Sequence, residues 1–477
     1  MTALNIASGA YDVGSKPLSA QECINLYPEF LEGEGRSQIA LRGTPGLKEW
    51  ATVGTGPIYA MTLMNGMLYV VSGTNLYSVD SFGVAESLGE TGGGRNAGNN
   101  TRRVSMAFNN NFELIIVDGE IGWTYDIING LRAITSENFP GGDVVTALDG
   151  YFIVNNPDTQ EFWISNPDDG QTWTGTDFAA KEGAPGNLIA PWANHRDLML
   201  FGENTIEFWR NTGDSDFPFE RQEGTFQERG CPAAHSIVSL DNTVYFLGDD
   251  RMVYKIDGLT PKRISNHGIE KALEGYSTGE LQSAKGFAHT YRGHYFYVLT
   301  VANDTWVYDA TFSAQVGKHT WHQRRSGIGD NKPWRANSYE YAYGKHLVGD
   351  RDLGRIFELD EDTYTDGGDE IQRVRTLPPM SLETYPTSIP KLELRAETGV
   401  GNSDVEDPQI WLEVSRDGGR TWGARQERSL GKIGEYERQL VWRRQGRSRD
   451  WVFRWTMTDK AKCTWFEAYV EPEVGRG

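Results

Sequence analysis

The sequence predicts an all-β protein built around a β-propeller of about seven blades. Glycine accounts for 55 of the 477 residues and aromatic residues for 12% of them. This mixture of turn formers and bulky flat side chains suits strands joined by tight turns. Long runs of Ala, Glu, Lys and Leu, which would indicate a helical bundle, are missing, and a strand–turn–strand pattern recurs along the chain.

The recurring unit is a hairpin of two apolar strands joined by a polar turn. Apolar and polar residues alternate with period two, as in residues 75–80, so each hairpin has one face to bury. An isolated hairpin is only marginally stable and must pack on its neighbours. Seven segments share the pattern at a pitch of 39 to 52 residues, namely 64–80, 108–126, 148–165, 194–210, 240–257, 291–309 and 343–360.

Strand repeats at this pitch are typical of propeller blades, and the alternative is a set of unrelated hairpins in a large sandwich. Residues 58–370 are therefore predicted to form the propeller, with six blades instead of seven if one hairpin belongs elsewhere. Residues 1–57 are rich in turn formers and predict an extended N-terminal arm, which lies on another surface or donates a strand. Residues 371–477 hold further strand patterns and predict a C-terminal β-sandwich-like domain.

The net charge of −20 is unevenly distributed along the chain. Residues 1–370 carry 28 basic and 50 acidic side chains, whereas residues 371–477 carry 18 and 16. An acidic body is poorly suited to gripping nucleic acid, although its charge also serves solubility. We expect no membrane insertion, no secretory signal and, from three widely spaced cysteines, no disulfide framework.

Two segments match the Asp-box pattern S-x-D-x-G-x-T-W. Residues 415–422 match fully through Asp417, Gly419 and Trp422, and residues 166–173 match through Asp168, Gly170 and Trp173, with Asn at the first position. The pattern predicts a hairpin turn in which Asp accepts backbone N–H groups, Gly takes a positive φ and Trp folds into the blade. The boxes resemble those of sialidases and other propeller glycosidases, where they are structural.

No catalytic residue, cofactor-binding loop or metal site is predicted, so the chain is not expected to be an enzyme. The paired carboxylates lie in predicted turns, and the sequence does not show whether any two face each other across a cleft. The HxxH segment 319–322 has no accompanying ligand motif.

A basic cluster near the C-terminus predicts a partner interface. Arg443, Arg444, Arg447 and Arg449 lie close together in sequence, flanked by Trp442 and Trp451. Arginine pairs in a bidentate manner with carboxylates or phosphates, and the tryptophans are predicted to form the apolar centre of the contact. The alternatives are a contact with DNA and a solvated strand–turn–strand.

Four motifs occur in a recognisable order: LRGTPGL (41–47), NTIEFW (204–209), GIEKAL (268–273) and the long run 440–457. In this order they resemble the packaged-DNA stabilisation, or tail hub (nozzle), proteins of short-tailed bacteriophages. The resemblance implies a virion protein of the phage tail, made in the host cytoplasm. It would form a homohexameric ring below the portal, close or extend the DNA exit channel, and carry tail fibres and the tail needle.

The implied partners are further copies of the chain, the portal or an adaptor, fibre and needle proteins, and double-stranded DNA that passes without sequence-specific contact. The alternative function is a propeller-type glycan-binding or glycoside-hydrolysing tail component. Oligomeric state and glycan turnover distinguish the two.

Overall fold

Seven four-stranded antiparallel blades follow one another around a central axis in the computed structural model. The structure describes residues 2–16, 18–31, 38–92, 103–330, 332–381 and 385–474. Each predicted hairpin supplies the second and third strands of one blade. The first strands of neighbouring blades pack side by side, and the circle closes where Asn337 Nδ2 of blade 7 donates to the Ile58 carbonyl of blade 1 at 2.8 Å. The predicted all-β propeller is confirmed.

Blades 1 to 5 are free-standing sheets whose strands run outward in chain order. Their bounds are Ile58–Met64, Met67–Ser72, Asn75–Val79 and Ala85–Glu90 in blade 1; Ser105–Phe108, Leu114–Val117, Gly122–Asp126 and Gly130–Ala133 in blade 2; Val145–Leu148, Tyr151–Asn155, Glu161–Asn166 and Asp169–Ala180 in blade 3; Leu188–Asn194, Asp197–Gly202, Ile206–Asn211 and Phe219–Arg221 in blade 4; and Val238–Leu240, Thr243–Leu247, Val253–Asp257 and Thr260–Arg263 in blade 5.

Blade 7 is completed by a strand from the N-terminal segment. Its own three strands are Ala336–Ala342, Lys345–Asp350 and Arg355–Asp360. The fourth position is taken by Gly46–Thr52, which we call the closure strand and which pairs antiparallel with Arg355–Asp360. A small pair, Thr365–Asp366 and Asp369–Glu370, extends the same sheet. The propeller is therefore held closed by residues from its two ends.

Blade 6 continues into the C-terminal domain as one nine-stranded sheet. The blade comprises Lys285–Tyr291, His294–Val301, Asp304–Asp309 and Trp321–Arg324. The N-terminal strand Cys23–Ile24 bridges it in parallel through Gln323. Beyond this bridge the sheet runs through Arg373–Thr376, Val452–Met457, Gln409–Ser415 and Gln426–Ser429.

A seven-stranded sheet forms the other layer of the C-terminal domain. Its strands are, in order, Leu440–Arg443, Thr387–Ala396, Thr464–Val474, Ile39–Gly43 and Leu26–Phe30, with Arg447–Ser448 and Thr2–Leu4 paired onto the second and third. The two layers bury Trp442, Trp455 and Trp465 between them. Of the two alternatives for residues 1–57, the strand donor matches these pairings, because the segment contributes strands to both domains.

Helices are few and short among the described residues: His267–Glu274 and Thr278–Gln282 between blades 5 and 6, Ala310–Val316 within blade 6, and the 3-10 turn Ala234–Ser236. A side chain caps the start of each of the three α-helices. Asn266 accepts from Ile269 N, and Ser277 forms a capping box with Glu280. The remaining strand pair, Tyr11–Asp12 with Ala20–Gln21, lies in the N-terminal segment.

Candidate interaction surface on the C-terminal domain

The four predicted interface arginines lie on one turn at the edge of the seven-stranded sheet. Arg443 ends the edge strand opposite Lys391, and Arg447 pairs with Ser388 of the same neighbouring strand. Arg444 and Gly446 between them have φ values of 60° and 95° and reverse the chain. We call residues 443–449 the arginine loop.

Gln445 lies in the middle of the arginine loop, is 1% exposed, and holds the loop in place through its hydrogen bonds. Its side-chain amide exchanges hydrogen bonds with that of Gln426 at 2.9 and 3.1 Å. Its carbonyl accepts from Nε and Nη2 of Arg416 at 3.0 and 2.6 Å. Gln445 could not be found from the sequence, because a polar residue in a polar run carries no signal of burial. Arg416 could not be found either, because the carbonyl that it binds lies 29 positions away.

The side chains of the arginine loop are open to solvent. Arg443, Arg444, Arg447 and Arg449 are all exposed, and within the described ranges none of their guanidinium groups has a hydrogen bond or ion pair. Their neighbours differ, because Arg438 pairs with Glu435 at 2.9 Å and Arg454 with Glu413 at 3.0 Å. A pinned turn thus presents four guanidinium groups that a partner can use.

The two tryptophans do not share this surface, and this part of the prediction is wrong. Trp442 and Trp451 are both 0% exposed. Trp442 donates from Nε1 to the Gln426 carbonyl at 2.7 Å and packs on Trp455, while Trp451 stacks on Phe453. Successive strand residues point to opposite faces, so Trp442 enters the core where Arg443 faces water. They cannot form the apolar centre of a contact.

The Asp box at 415–422 forms the predicted turn, but in the C-terminal domain and not in a blade. Asp417 Oδ1 accepts from the backbone N of Arg420 and Thr421 at 2.9 Å each, and Gly419 has a φ of 95°. The Thr421 hydroxyl is the main cause that lowers the pKa of Asp417 below its usual range. Trp422 is half-buried, with the Arg454 guanidinium stacked 3.9 Å from its ring centroid.

This turn also supports the arginine loop. Ser448 Oγ donates to the Arg416 carbonyl at 2.6 Å, and Asp417 and Asp450 form a β-bridge. The Asp box and the arginine loop are therefore one structural unit.

The second Asp box, in blade 3, departs from the prediction. Asp169, and not Asp168, accepts from the turn, at 2.9 Å from Gln171 N, while Asp168 itself takes the left-handed conformation with φ 55°. Gly170 does not have a positive φ and lies in the strand Asp169–Ala180. Trp173 is buried as predicted and donates to the Gly170 carbonyl at 2.9 Å.

The paired carboxylates and the HxxH segment singled out in the sequence do not form a metal or catalytic site within the described ranges. Across the described ranges, no three His, Cys, Asp or Glu side chains are placed to hold a metal ion. Asp249 and Asp250 both pair with Arg229, and His319 contacts Tyr308 while His322 is buried. No helix in the described part of the chain is long and apolar enough to cross a membrane.

Comparison with known proteins decides the family. Residues 2–364 match the family model described as bacteriophage P22 Gp10, beta-propeller, and residues 373–473 match bacteriophage P22 Gp10, beta-sandwich. The chain belongs to the bacteriophage P22 Gp10 family. The family resemblance inferred from four ordered motifs is thereby confirmed, as is the fold class of a β-propeller with a C-terminal β-sandwich.

A curated relative within the Gp10 family is the tail hub protein gp10 of Salmonella phage P22. It is 22% identical over 434 residues, which cover 86% of each chain. Solved structures outside the Gp10 family resemble the chain weakly. For a chain of the Mitotic Checkpoint Complex, the likeness covers 70% of this chain and 96% of that chain, with 10% sequence identity and a TM-score of 0.41. For the extracellular domain of the putative hybrid two-component system BT4673 from B. thetaiotaomicron, it covers 86% of this chain and 58% of that chain. The sequence identity is again 10% and the TM-score 0.41. At these TM-scores neither likeness bears on function.

Proposed function

We propose that this chain is a structural tail hub protein of a short-tailed bacteriophage and a component of the virion. The match to the P22 tail hub protein gp10 supports this role, because it spans both domains and 86% of each chain. In finer detail, copies synthesised in the host cytoplasm form a homohexameric ring below the portal. The ring closes or extends the exit channel, retains packaged DNA and carries fibres and the needle.

The arginine loop is the observation that carries ring formation. A ring made by head-to-tail contact needs two different, complementary patches on each copy. Four unpaired guanidinium groups lie on the C-terminal domain, while residues 1–370 carry an excess of 22 acidic side chains. The loop of one copy therefore docks on the acidic propeller of the next, or on an acidic surface of the portal.

Electrostatics also fits the passage of DNA. A wall of acidic propellers repels phosphates, so double-stranded DNA slides past without sequence-specific contact. No catalytic step belongs to this role, and we propose that the chain is not an enzyme. The glycan-hydrolysing alternative gains no support from the Asp boxes, since both are turn scaffolds, and reproducible turnover of a sialoside would overturn our view.

The test replaces Arg443, Arg444, Arg447 and Arg449 by Ser in the full chain. We expect a folded monomer with an unchanged melting temperature that fails to form rings or to attach to portal-bearing heads, measured by sedimentation and electron microscopy. Each exposed ion pair contributes about 0–1 kcal/mol to the contact, so all four arginines are replaced together. Because salt screens such pairs, assembly of the parent protein should weaken as the salt concentration rises.

The matched control is Arg196→Ser with Arg210→Ser, two exposed arginines on blade 4. It should assemble like the parent protein. Normal assembly of the quadruple variant at physiological salt would show that the arginine loop is a solvated edge or a DNA contact and not the ring interface.

A further inference from the structure

Three cationic side chains meet at one mouth of the propeller's central channel. Arg103 precedes the first strand of blade 2, Lys285 begins the first strand of blade 6, and Arg351 follows the second strand of blade 7. Because the first strands line the channel side by side, residues at their starts surround the same opening. Arg351 lies there too, since Asp350 pairs with Ala336 at the start of the first strand of blade 7. These three cations and the cavity between them are called the mouth pocket.

The long side chains of the mouth pocket reach across the opening. Lys285 Nζ donates to the Tyr59 carbonyl of blade 1 at 2.9 Å. Arg103 Nη2 donates to the Ser283 carbonyl, just before blade 6, at 2.6 Å. The cavity has a volume of about 190 Å³, and Thr300 and Asn337 add polar groups to its wall. A water molecule occupies about 30 Å³ in the liquid, so a larger polar guest fits.

No carboxylate lines the mouth pocket among the described residues. Asp350 and Asp352 lie near Arg351, but Asp350 is buried in an ion pair with Arg335 at 2.8 Å. An adjoining cavity of about 380 Å³ shares Arg351 yet mixes Lys332 and Arg335 with Asp352 and Asp369. The mouth pocket is thus a cationic site in a domain whose net charge is strongly negative.

Like charges raise the cost of protonating these groups. Burial, reinforced by Arg103 and Arg351, holds the pKa of Lys285 well below its usual range. Burial, with Arg103 and Lys285, lowers the pKa of the neighbouring His235 to about 3. An anion at the centre would offset this repulsion and favour the charged ammonium.

We propose that the mouth pocket binds a small oxyanion with the chemistry of inorganic phosphate, held by the guanidinium groups of Arg103 and Arg351 and by the ammonium of Lys285. Arginine forks and a lysine point charge are the usual protein donors to such oxygens. The bound anion joins blades 2, 6 and 7 across the channel, so it also stabilises the closed propeller.

The Lys285 ammonium faces Arg103, Arg351, His235 and the Tyr59 carbonyl. Burial, together with these cations, disfavours its charged form. A bound anion offsets that cost, so the ammonium and the anion stabilise each other in the mouth pocket.

The test titrates the full-length protein with sodium phosphate at constant ionic strength by isothermal calorimetry. We expect saturable binding. Arg351→Gln should weaken the affinity about tenfold, as expected for a lost hydrogen bond to a charged group. Lys285→Met should also weaken the affinity, because it removes the ammonium donor.

Arg196→Gln on blade 4 is the control and should bind like the parent. Each variant is checked for folding by its melting temperature, and Arg351→Gln decides if Lys285→Met does not fold. Absence of saturable binding up to about 10 mM phosphate, or parental affinity in both Arg351→Gln and Lys285→Met, would overturn the proposal.

Discussion

Asn25 and Gln372 lie 347 positions apart and are joined by a hydrogen bond of 2.9 Å from the Asn25 side-chain amide to the Gln372 carbonyl. The same amide group donates to the Arg325 carbonyl and accepts from the Arg325 backbone N, both at 3.0 Å. Asn25 is 0% exposed and has a φ of 52°. One side chain therefore ties the N-terminal segment to the end of blade 6 and to the start of the C-terminal domain.

Replacing Asn25 by Ala should lower the free energy of unfolding by about 3 kcal/mol. Two partly buried carbonyls and a backbone N–H lose their partner, and Ala is disfavoured at a positive φ. Urea unfolding followed by fluorescence and circular dichroism measures the loss. Asn65→Ala is the matched control, because Asn65 has a φ of 49° but is exposed. Equal losses in both variants would show that backbone conformation alone accounts for the effect.

Glu340, on the first strand of blade 7, should make stability fall as pH rises. Burial raises its pKa from 4.5 to about 7. The folded state therefore holds a proton between these values that the unfolded state releases, and stability is lost as pH rises through this window. Glu340→Gln should add about 2–3 kcal/mol at about pH 8 and little at about pH 4. Glu86 is exposed, so Glu86→Gln should leave the stability unchanged at both pH values. If the parent and Glu340→Gln showed the same dependence of stability on pH, the raised pKa of Glu340 would be contradicted.

Gln445 and Gln426 should couple energetically, because their amides bond to each other in both directions. A double-mutant cycle of Gln445→Ala and Gln426→Ala should give a coupling free energy of about 1 kcal/mol. Gln445→Ala should also raise amide hydrogen exchange in the arginine loop and impair assembly while all four arginines remain. Strictly additive losses and unchanged exchange would mean that the loop is held by other contacts.

Gly46→Ala should open the propeller. A Cβ at Gly46 would collide with the backbone carbonyl of Thr363 and lie 2.7 Å from that of Thr365, so the closure strand would have to shift. We expect a loss of about 3 kcal/mol or more in unfolding free energy, together with faster proteolysis of residues 46–52. Gly279→Ala is the control, since its Cβ meets no atom within 4 Å and Ala favours the helix there. A Gly46→Ala protein as stable as the control would refute the role of the closure strand.

Local alternation was enough to predict the central strands of every blade, because a period of two is visible within a few residues. It could not predict that Gly46–Thr52 completes blade 7, since the partner Arg355–Asp360 lies about 300 positions away. The same alternation also predicts that Trp442 and its strand neighbour Arg443 face opposite sides of the sheet. The two residues therefore cannot share one exposed surface. Arg103, Lys285 and Arg351 share no motif, and only the circular arrangement of blades brings them together.

The closure strand also sets the order of events during synthesis. Gly46 pairs with Asp360, so the closure strand leaves the ribosome long before its partner strand has been synthesised. Contacts this distant in sequence form slowly, and an unpaired strand is exposed to aggregation until its partner has formed. Nearly the whole propeller must therefore be synthesised before the closure strand can pair. Closure of the propeller is a late step of folding.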